Sequence, residues 1–504
     1  MILRWLALAA GAAGVFAFAP FALEPVTLCV LALLFLLWLG AATPRDGAWL
    51  GFAFGFGLFG AGVSWVYIAL ETFGGMPVPI ALIATAGFVA YLALWPALAG
   101  WVVVRATPAN SWLRLLAAAA AWTLAEWLRG FVFTGFPWLA VGYAELLPRG
   151  ALPLAGYAPV GGVFLVSFAV ALCAAAIAGI IKALAQARTA DLIGCLAAIS
   201  ALMAGGALLA RVEWTSVQGA PLAVSLVQGN VSQAQKFDPN FRPQNYALYD
   251  DLLRASKGRL VVFPESAFPQ FADEIPEEVF VRIAEAGRAR DGNVLVGLFT
   301  IDPPLAAGGE ERIYNTVVSL GASPPQLYRK HHLVPFGESI PLKVITGWFI
   351  NRVLDIPLAD QAAGPAVQPP IAVAGQQLAL NICYEDVFGS EFIPVARAAT
   401  LLVNVTNDAW YGRSVAARQH NQIAQMRALE TGRPMLRATN TGITSAIAHD
   451  GHVISELPWF VSGILEVDIE GRTGLTPYVR YGDVPVLLLA CVVLGAAAWA
   501  GRRR

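Results

Sequence analysis

Three side chains whose types could do chemistry together are Glu265, Lys330 and Cys383. Cys383 ends the run Leu378-Ala379-Leu380-Asn381-Ile382 and is followed by Tyr384-Glu385-Asp386. Glu265 follows Val261-Val262-Phe263-Pro264, and Lys330 opens Lys330-His331-His332-Leu333-Val334-Pro335-Phe336-Gly337-Glu338. Taken singly, each has a structural reading: a packed thiol, a turn carboxylate, a solvated basic loop. Together they make a nucleophilic site. A thiol reacts as its thiolate, so it needs a base or a cation close by. A carboxylate can take the thiol proton and return it to a leaving group. An ammonium can stabilise both the thiolate and the oxyanion of a tetrahedral intermediate. The order Glu, Lys, Cys, spaced 65 and 53 residues apart, brings each in after a new strand.

Those strands read as β-leaning apolar runs at 221–228, 259–263, 293–299, 315–320, 378–383 and 399–405, with helical stretches at 241–256, 276–290 and 414–430. Alternation of this kind predicts an α/β layered domain. Near-continuous apolar strands predict sheets covered on both faces, and strand ends are where active sites of such folds gather.

The rest of the chain is different in kind. Of 504 residues, 57% are hydrophobic and 13% charged, against about 45–50% and about 25% in soluble domains. The 67 charged residues are unevenly placed, with 49 of them between 211 and 482. A bilayer-spanning helix needs about 20 apolar residues. Candidate spans fall near 5–22, 26–42, 48–70, 78–104, 111–128, 158–181, 190–210 and 484–500. The expected organisation is therefore a seven-helix membrane domain over 1–210, an extracytoplasmic domain over 211–482, and a last span with a cytoplasmic tail over 483–504. Arg4, Arg45, Arg105, Lys182, Arg188 and Arg502 to Arg504 all fall on the cytoplasmic side if both termini lie there, as the positive-inside rule requires. The first 20 residues also have the form of a signal peptide, but apolar spans continue directly after them.

Several functions are excluded or disfavoured. A net charge of −1 gives no basic field for nucleic acid. The five cysteines form no Cys-x-x-Cys pair. His331, His332, His420, His449 and His452 lack zinc-ligand spacing, and no dinucleotide or phosphate loop is present. No metal and no cofactor are expected. The glycines at 51, 55, 57, 60 and 62 predict close helix packing in the membrane.

The motifs Phe263-Pro264-Glu265-Ser266, Lys330 through Glu338 and Cys383-Tyr384-Glu385-Asp386, in that order, resemble the nitrilase superfamily. Asn404 through Gly412 and Arg437 through Gly442 match its later segments. With the surrounding spans, the whole chain resembles the membrane-embedded branch of that superfamily, the apolipoprotein N-acyltransferases. The resemblance implies a nitrilase-like αββα sandwich on an eight-helix transmembrane bundle. It implies Glu265 as base, Lys330 as oxyanion stabiliser and Cys383 as nucleophile, with Glu338, Tyr384, Glu385, Phe237 and Trp410 supporting or contacting substrate. One departure is Phe237, where the family carries Trp after Gln-x-Lys; the ring is kept and the indole N–H lost. The implied donor is a phospholipid, phosphatidylethanolamine first, and the acceptor the α-amine of a diacylated apolipoprotein. The implied setting is a monomer in the bacterial inner membrane with a periplasmic catalytic domain.

Both substrates carry acyl chains that cost about 0.8 kcal/mol per CH₂ to move into water, so chemistry at the bilayer surface is favoured. The apolar stretch 344–358 is expected as either a lid at the interface or an ordinary packed helix. Three rival readings stay open: a membrane-tethered amidase or nitrile hydrolase using water, a transporter or receptor with a binding domain, and a papain-like pairing of Cys383 with His420.

Overall fold

Residues 1–304, 311–340 and 360–503 are described by a computed structural model, in which the chain forms two compact units. One comprises Met1–Tyr67, Pro79–Glu213 and Thr476–Arg504; the other comprises Trp214–Leu475 together with Ile68–Val78, a short segment from within the 1–210 region.

In the second unit the apolar runs pair into two six-stranded sheets. The first contains β1 (Leu222–Gln228), β2 (Leu260–Val262), β3 (Asn293–Asp302), β4 (Arg312–Gly321) and β5 (Gln326–Arg329). The second contains β6 (Ile371–Val373), β7 (Gln376–Ile382), β8 (Leu401–Thr406), β9 (Met435–Thr439), β10 (Ser445–Ile447) and β11 (Val453–Glu456). The last strand, β12 (Gly463–Ile469), returns to the first sheet beside β1, giving the order β12-β1-β2-β3-β4-β5. The second sheet runs β11-β10-β9-β8-β7-β6. At the centre of each sheet three strands are parallel: β1, β2 and β3 in one, β7, β8 and β9 in the other. Antiparallel strands flank them.

The central strands are apolar because both of their faces are covered. On the first sheet, Tyr249 and Leu253 of the Arg242–Ala255 helix, and Val279 and Ile283 of the Glu277–Ala289 helix, pack on Val261, Phe263, Val294 and Val296. Each pair is spaced four residues apart, so it lies on one helix face. On the second sheet, Ala424 and Ala428 of the Ala416–Thr431 helix and Phe392 of the Gly389–Ala396 helix cover Ala379, Leu402 and Met435. The two sheets meet through polar pairs. The Val231 N–H donates to Asn440 Oδ1 at 2.9 Å, and Asn440 Nδ2 donates to the Val231 carbonyl at 2.8 Å. The layers are therefore αββα, as expected.

All six expected strands and all three expected helices of this unit are present. Strands β5, β6 and β9 to β12 are additional. The strand preceding Lys330 is β5, not the 315–320 run, which lies inside β4.

In the first unit, four helices are long and apolar enough to cross a bilayer: Val78–Ala106, Pro153–Ala185, Thr189–Leu209 and Val484–Arg502. Two shorter apolar helices cover Ile2–Ala17 and Pro25–Gly40. The expected 48–70 span is instead a helix, Pro44–Gly62, followed across a 58° bend by Val66–Phe73. Trp65 Nε1 donates to the Gly62 carbonyl at 3.0 Å at that break. The Trp112–Arg129 helix carries three charged residues that are buried: Arg114, Glu126 and Arg129. Arg114 is satisfied locally, donating to the carbonyls of Ala41 at 2.8 Å and Thr107 at 2.7 Å. The glycines of the third helix do allow close packing. A Cβ on Gly51 would lie 2.1 Å from the Pro96 carbonyl oxygen, and one on Gly57 would lie 2.1 Å from that of Leu8.

Candidate active site

The reactive residues gather at the carboxyl ends of the central strands. Glu265 follows β2, Cys383 follows β7, and Asn407 and Trp410 follow β8. Lys330 follows β5, which is antiparallel to β4 as β4 is to β3, so it leaves the sheet at the same end.

Glu265 is buried and gripped on both oxygens. Asn315 Nδ2 donates to Oε1 at 2.7 Å, and the Asn407 N–H donates to Oε2 at 2.7 Å. Its carboxylate also lies 3.7 Å from Lys330 Nζ. Lys330 is completely buried. Its Nζ donates to Glu338 Oε1 at 2.6 Å, while Glu338 Oε2 accepts from the Val334 N–H at 2.9 Å. Burial alone would push the Lys330 ammonium toward the neutral form. Glu338 and Glu265 outweigh it and hold the group above the usual lysine range. The backbone of Lys330 is fixed as well, its N–H donating to the Asn315 carbonyl at 2.8 Å and its carbonyl accepting from the Gly364 N–H at 2.7 Å.

Cys383 opens a short turn, Cys383–Val387, in a left-handed conformation with φ +54°. That costs about 1–2 kcal/mol for a residue with a Cβ and persists only where the surroundings enforce it. Burial raises the thiol well above its ordinary range; Glu265 raises it further and Lys330 pulls it down. A thiol so placed gives up its proton only to a base already in position.

Glu385 joins the Lys330 loop to the Cys383 strand. It accepts from the N–H groups of Ile382 at 2.6 Å, His331 at 2.7 Å and His332 at 3.1 Å, and from the Tyr328 hydroxyl at 3.0 Å. Burial raises its carboxyl, and those backbone donors, with Lys330, oppose the rise. Glu385→Ala leaves several buried N–H groups without an acceptor, each costing roughly 1–3 kcal/mol. A loss of about 3 kcal/mol is expected, read as a fall in thermal midpoint of the detergent-solubilised protein. An unchanged midpoint would show that Glu385 does not join these segments.

Tyr384 packs edge-on to Phe388 with ring centroids 5.1 Å apart. Trp410 meets Phe73 of the Ile68–Val78 segment edge-on at 6.2 Å. Phe237 lines a cleft with Lys236, Phe241, Arg242 and Gln270, to which Glu265, Lys330 and Cys383 do not contribute. Lys236 connects the two places: its buried Nζ donates to the Glu265 carbonyl oxygen at 2.9 Å, and burial pulls its ammonium down to about 8. Sequence reasoning passed over Lys236 in favour of its neighbour, and it passed over Asn315 and Asn407. The strand-end position of Asn407, beside Asp408, was the available signal. The 344–358 stretch lies outside the described residues.

The papain-like pairing is overturned. Both ring nitrogens of His420 face carboxylates, Nε2 on Asp386 Oδ1 at 2.7 Å and Nδ1 on Asp408 Oδ1 at 3.0 Å.

A strand-end thiol, a gripped carboxylate and a buried ammonium on an αββα sandwich define the carbon–nitrogen hydrolase class of enzyme. Comparison agrees: residues 175–478 match the family described as carbon-nitrogen hydrolase, and residues 10–176 match the apolipoprotein N-acyltransferase N-terminal domain. An apolipoprotein N-acyltransferase of Nitrosomonas europaea is 46% identical over 501 residues, covering 99% of this chain and 98% of that one. One from Chromobacterium violaceum is 41% identical over 505 residues, covering 100% and 95%. Among solved structures, an amidase from Nesterenkonia sp. AN1 with an adduct on its active-site cysteine is similar at a TM-score of 0.37 and 18% identity, covering 54% of this chain and 97% of that one. The chain belongs to the apolipoprotein N-acyltransferase family.

Proposed function

We propose that Glu265, Lys330 and Cys383 carry a two-step acyl transfer. The protein is an acyltransferase that N-acylates lipoproteins, using a phospholipid donor and a lipoprotein acceptor. In the first step Cys383 Sγ attacks an ester carbonyl of the phospholipid while Glu265 takes the thiol proton. Lys330 stabilises the oxyanion. Collapse breaks the ester C–O bond, and Glu265 hands its proton to the departing lysophospholipid oxygen. In the second step the α-amine of an N-terminal S-diacylglyceryl cysteine attacks the thioester. The amide C–N bond forms, the C–S bond breaks, and Glu265 carries the amine proton back to the Cys383 thiolate.

Glu338 holds Lys330 in place, Glu385 and Tyr384 brace the nucleophile's turn, and Trp410 and Phe237 contact substrate. Phosphatidylethanolamine is the proposed donor and a monomer the proposed working unit. Residues 1–210 and 483–504 form an eight-span bundle in the bacterial inner membrane, with 211–482 in the periplasm and both termini in the cytoplasm. The charge asymmetry of the loops supports that orientation.

The observation that carries the reading is the buried Lys330 ammonium held between Glu265 and Glu338 at the strand ends beside Cys383. Incubation of the purified protein with phospholipid is expected to add one acyl mass to the Cys383 peptide. Hydroxylamine should remove it, and a diacylated lipopeptide should discharge it as an amide. No adduct, or fatty acid released without any amine acceptor, would return the site to the hydrolase reading.

A further inference from the structure

Four buried charged side chains lie under the Cys383 turn and have no part in the proton transfers above. Asp386 is the fourth residue of that turn, and Asp408 opens the next strand-end turn, Asp408–Tyr411, which carries Trp410. His420 reaches both carboxylates from the Ala416–Thr431 helix, with its two nitrogens 2.7 and 3.0 Å from their oxygens. Arg437 reaches both from β9: Nη1 donates to Asp386 Oδ2 at 2.8 Å and Nη2 to Asp408 Oδ2 at 3.2 Å. All four are almost fully enclosed.

A neutral imidazole carries one N–H and one lone pair. With a carboxylate oxygen on each nitrogen, the neutral ring would set its lone pair against an anion. Only the imidazolium donates to both. With His420 charged, two carboxylates face two cations and the cluster is formally neutral, which is the condition for burying charge. Burial and Arg437 push the imidazole toward its neutral form, but Asp386 and Asp408 outweigh them, so the group sits above the ordinary histidine range. Asp408 is held below its ordinary range despite burial, because His420 and Arg437 oppose it.

The cluster also reaches the nucleophile's own backbone. Arg437 Nη1 donates to Asn404 Oδ1 at 2.9 Å, and Asn404 Nδ2 donates to the Cys383 carbonyl at 3.0 Å. The left-handed Cys383 is thus held at its carbonyl through Asn404 and three residues later through Asp386.

We propose that His420, as an imidazolium, is a positioning residue for acyl transfer: by clamping Asp386 to Asp408 it fixes the Cys383 turn and the Trp410 turn relative to one another. The inference rests on Cys383 as the acyl-bearing residue. A displacement of about 1 Å in a nucleophile can cost about 10²-fold in rate.

Two measurements test it in the full-length, detergent-solubilised protein. In His420→Gln both N–H donors sit on one nitrogen and the other end of the amide is a carbonyl oxygen, so only one of the two carboxylates can be served. Thioester formation per folded molecule is expected to fall about 10²-fold, with KM for phospholipid nearly unchanged. In the double variant with Asp408→Asn, which restores charge balance, part of that rate should return. A wild-type rate in folded His420→Gln, or a loss fully accounted for by a smaller folded fraction, overturns the proposal. Where His420→Gln does not fold, ¹⁵N-histidine NMR of the wild type decides. Both His420 nitrogens are expected at imidazolium shifts just above the roughly 6.5 at which a free histidine loses its proton; a neutral tautomer there overturns it. Failure of the triad reading itself would look different: no acyl adduct on Cys383 in the wild type, whatever the state of His420.

Discussion

Cys383→Ala is expected to abolish N-acylation, by about 10⁶-fold or to background, while leaving the protein folded. The magnitude is that of removing a covalent nucleophile from a site whose other groups act only through it. Folding should survive because the side chain is small, and because the turn is held from outside itself, by Asn404 on the Cys383 carbonyl and by His420 and Arg437 on Asp386. The φ of +54° is no harder for Ala than for Cys. Cys383→Ser should fare little better than Ala, since a buried hydroxyl is a still weaker acid than a thiol that burial has already raised. The readout is the mobility shift or mass gain of a diacylated lipopeptide incubated with phospholipid. An alanine variant that still N-acylates would place the acyl intermediate elsewhere, or show direct transfer without one.

That site was legible in the sequence to the extent that Glu265 and Cys383 follow strands whose burial made them apolar, whereas Lys330 follows β5, which has no fully buried residue. Val261-Val262-Phe263 and Leu378-Ala379-Leu380 lie at the centres of sheets covered on both faces, so their strands showed as unbroken apolar runs. Strand β9 did not show in this way. Its middle residue is Arg437, a charge that the sequence alone places on a surface but that the fold encloses between Asp386 and Asp408. The role of His420 was hidden for the same reason. Its partners lie 34 and 12 residues away, and nothing local marks a histidine as bridging two carboxylates. Strand β12 was hidden by topology, pairing with β1 across most of the domain in register Gly463 to Gln228. The bend after Gly62 was hidden because the residues on both sides are equally apolar, and hydropathy reports composition without direction. Residues 71–77 read as a loop between two candidate spans, yet the Phe73 ring packs on Trp410.

Lys330→Met is expected to be the second most damaging change, lowering the rate of thioester formation about 10³-fold. Removing one oxyanion donor from a water-excluded site costs about 10²–10³, and here the same deletion disturbs the base. Lys330 Nζ is 3.7 Å from Glu265 and 2.6 Å from Glu338. Without it the buried Glu265 and the half-buried Glu338 lose the cation between them. Stability should fall too, since removing one partner of a buried ion pair costs about 3–5 kcal/mol, so rates must be referred to the folded fraction. Lys330→Arg should not rescue. The site has no exposed surface around the side chain, and a planar guanidinium needs room for a fork of donors where the structure has room for a point charge. Glu338→Gln gives the internal comparison. It keeps an acceptor for Lys330 Nζ and removes only one of the two carboxylates, so a loss smaller than that of Lys330→Met is expected. If Lys330→Met forms the thioester within about tenfold of wild type, the ammonium is a structural strut between two carboxylates, and the oxyanion must be held by other donors.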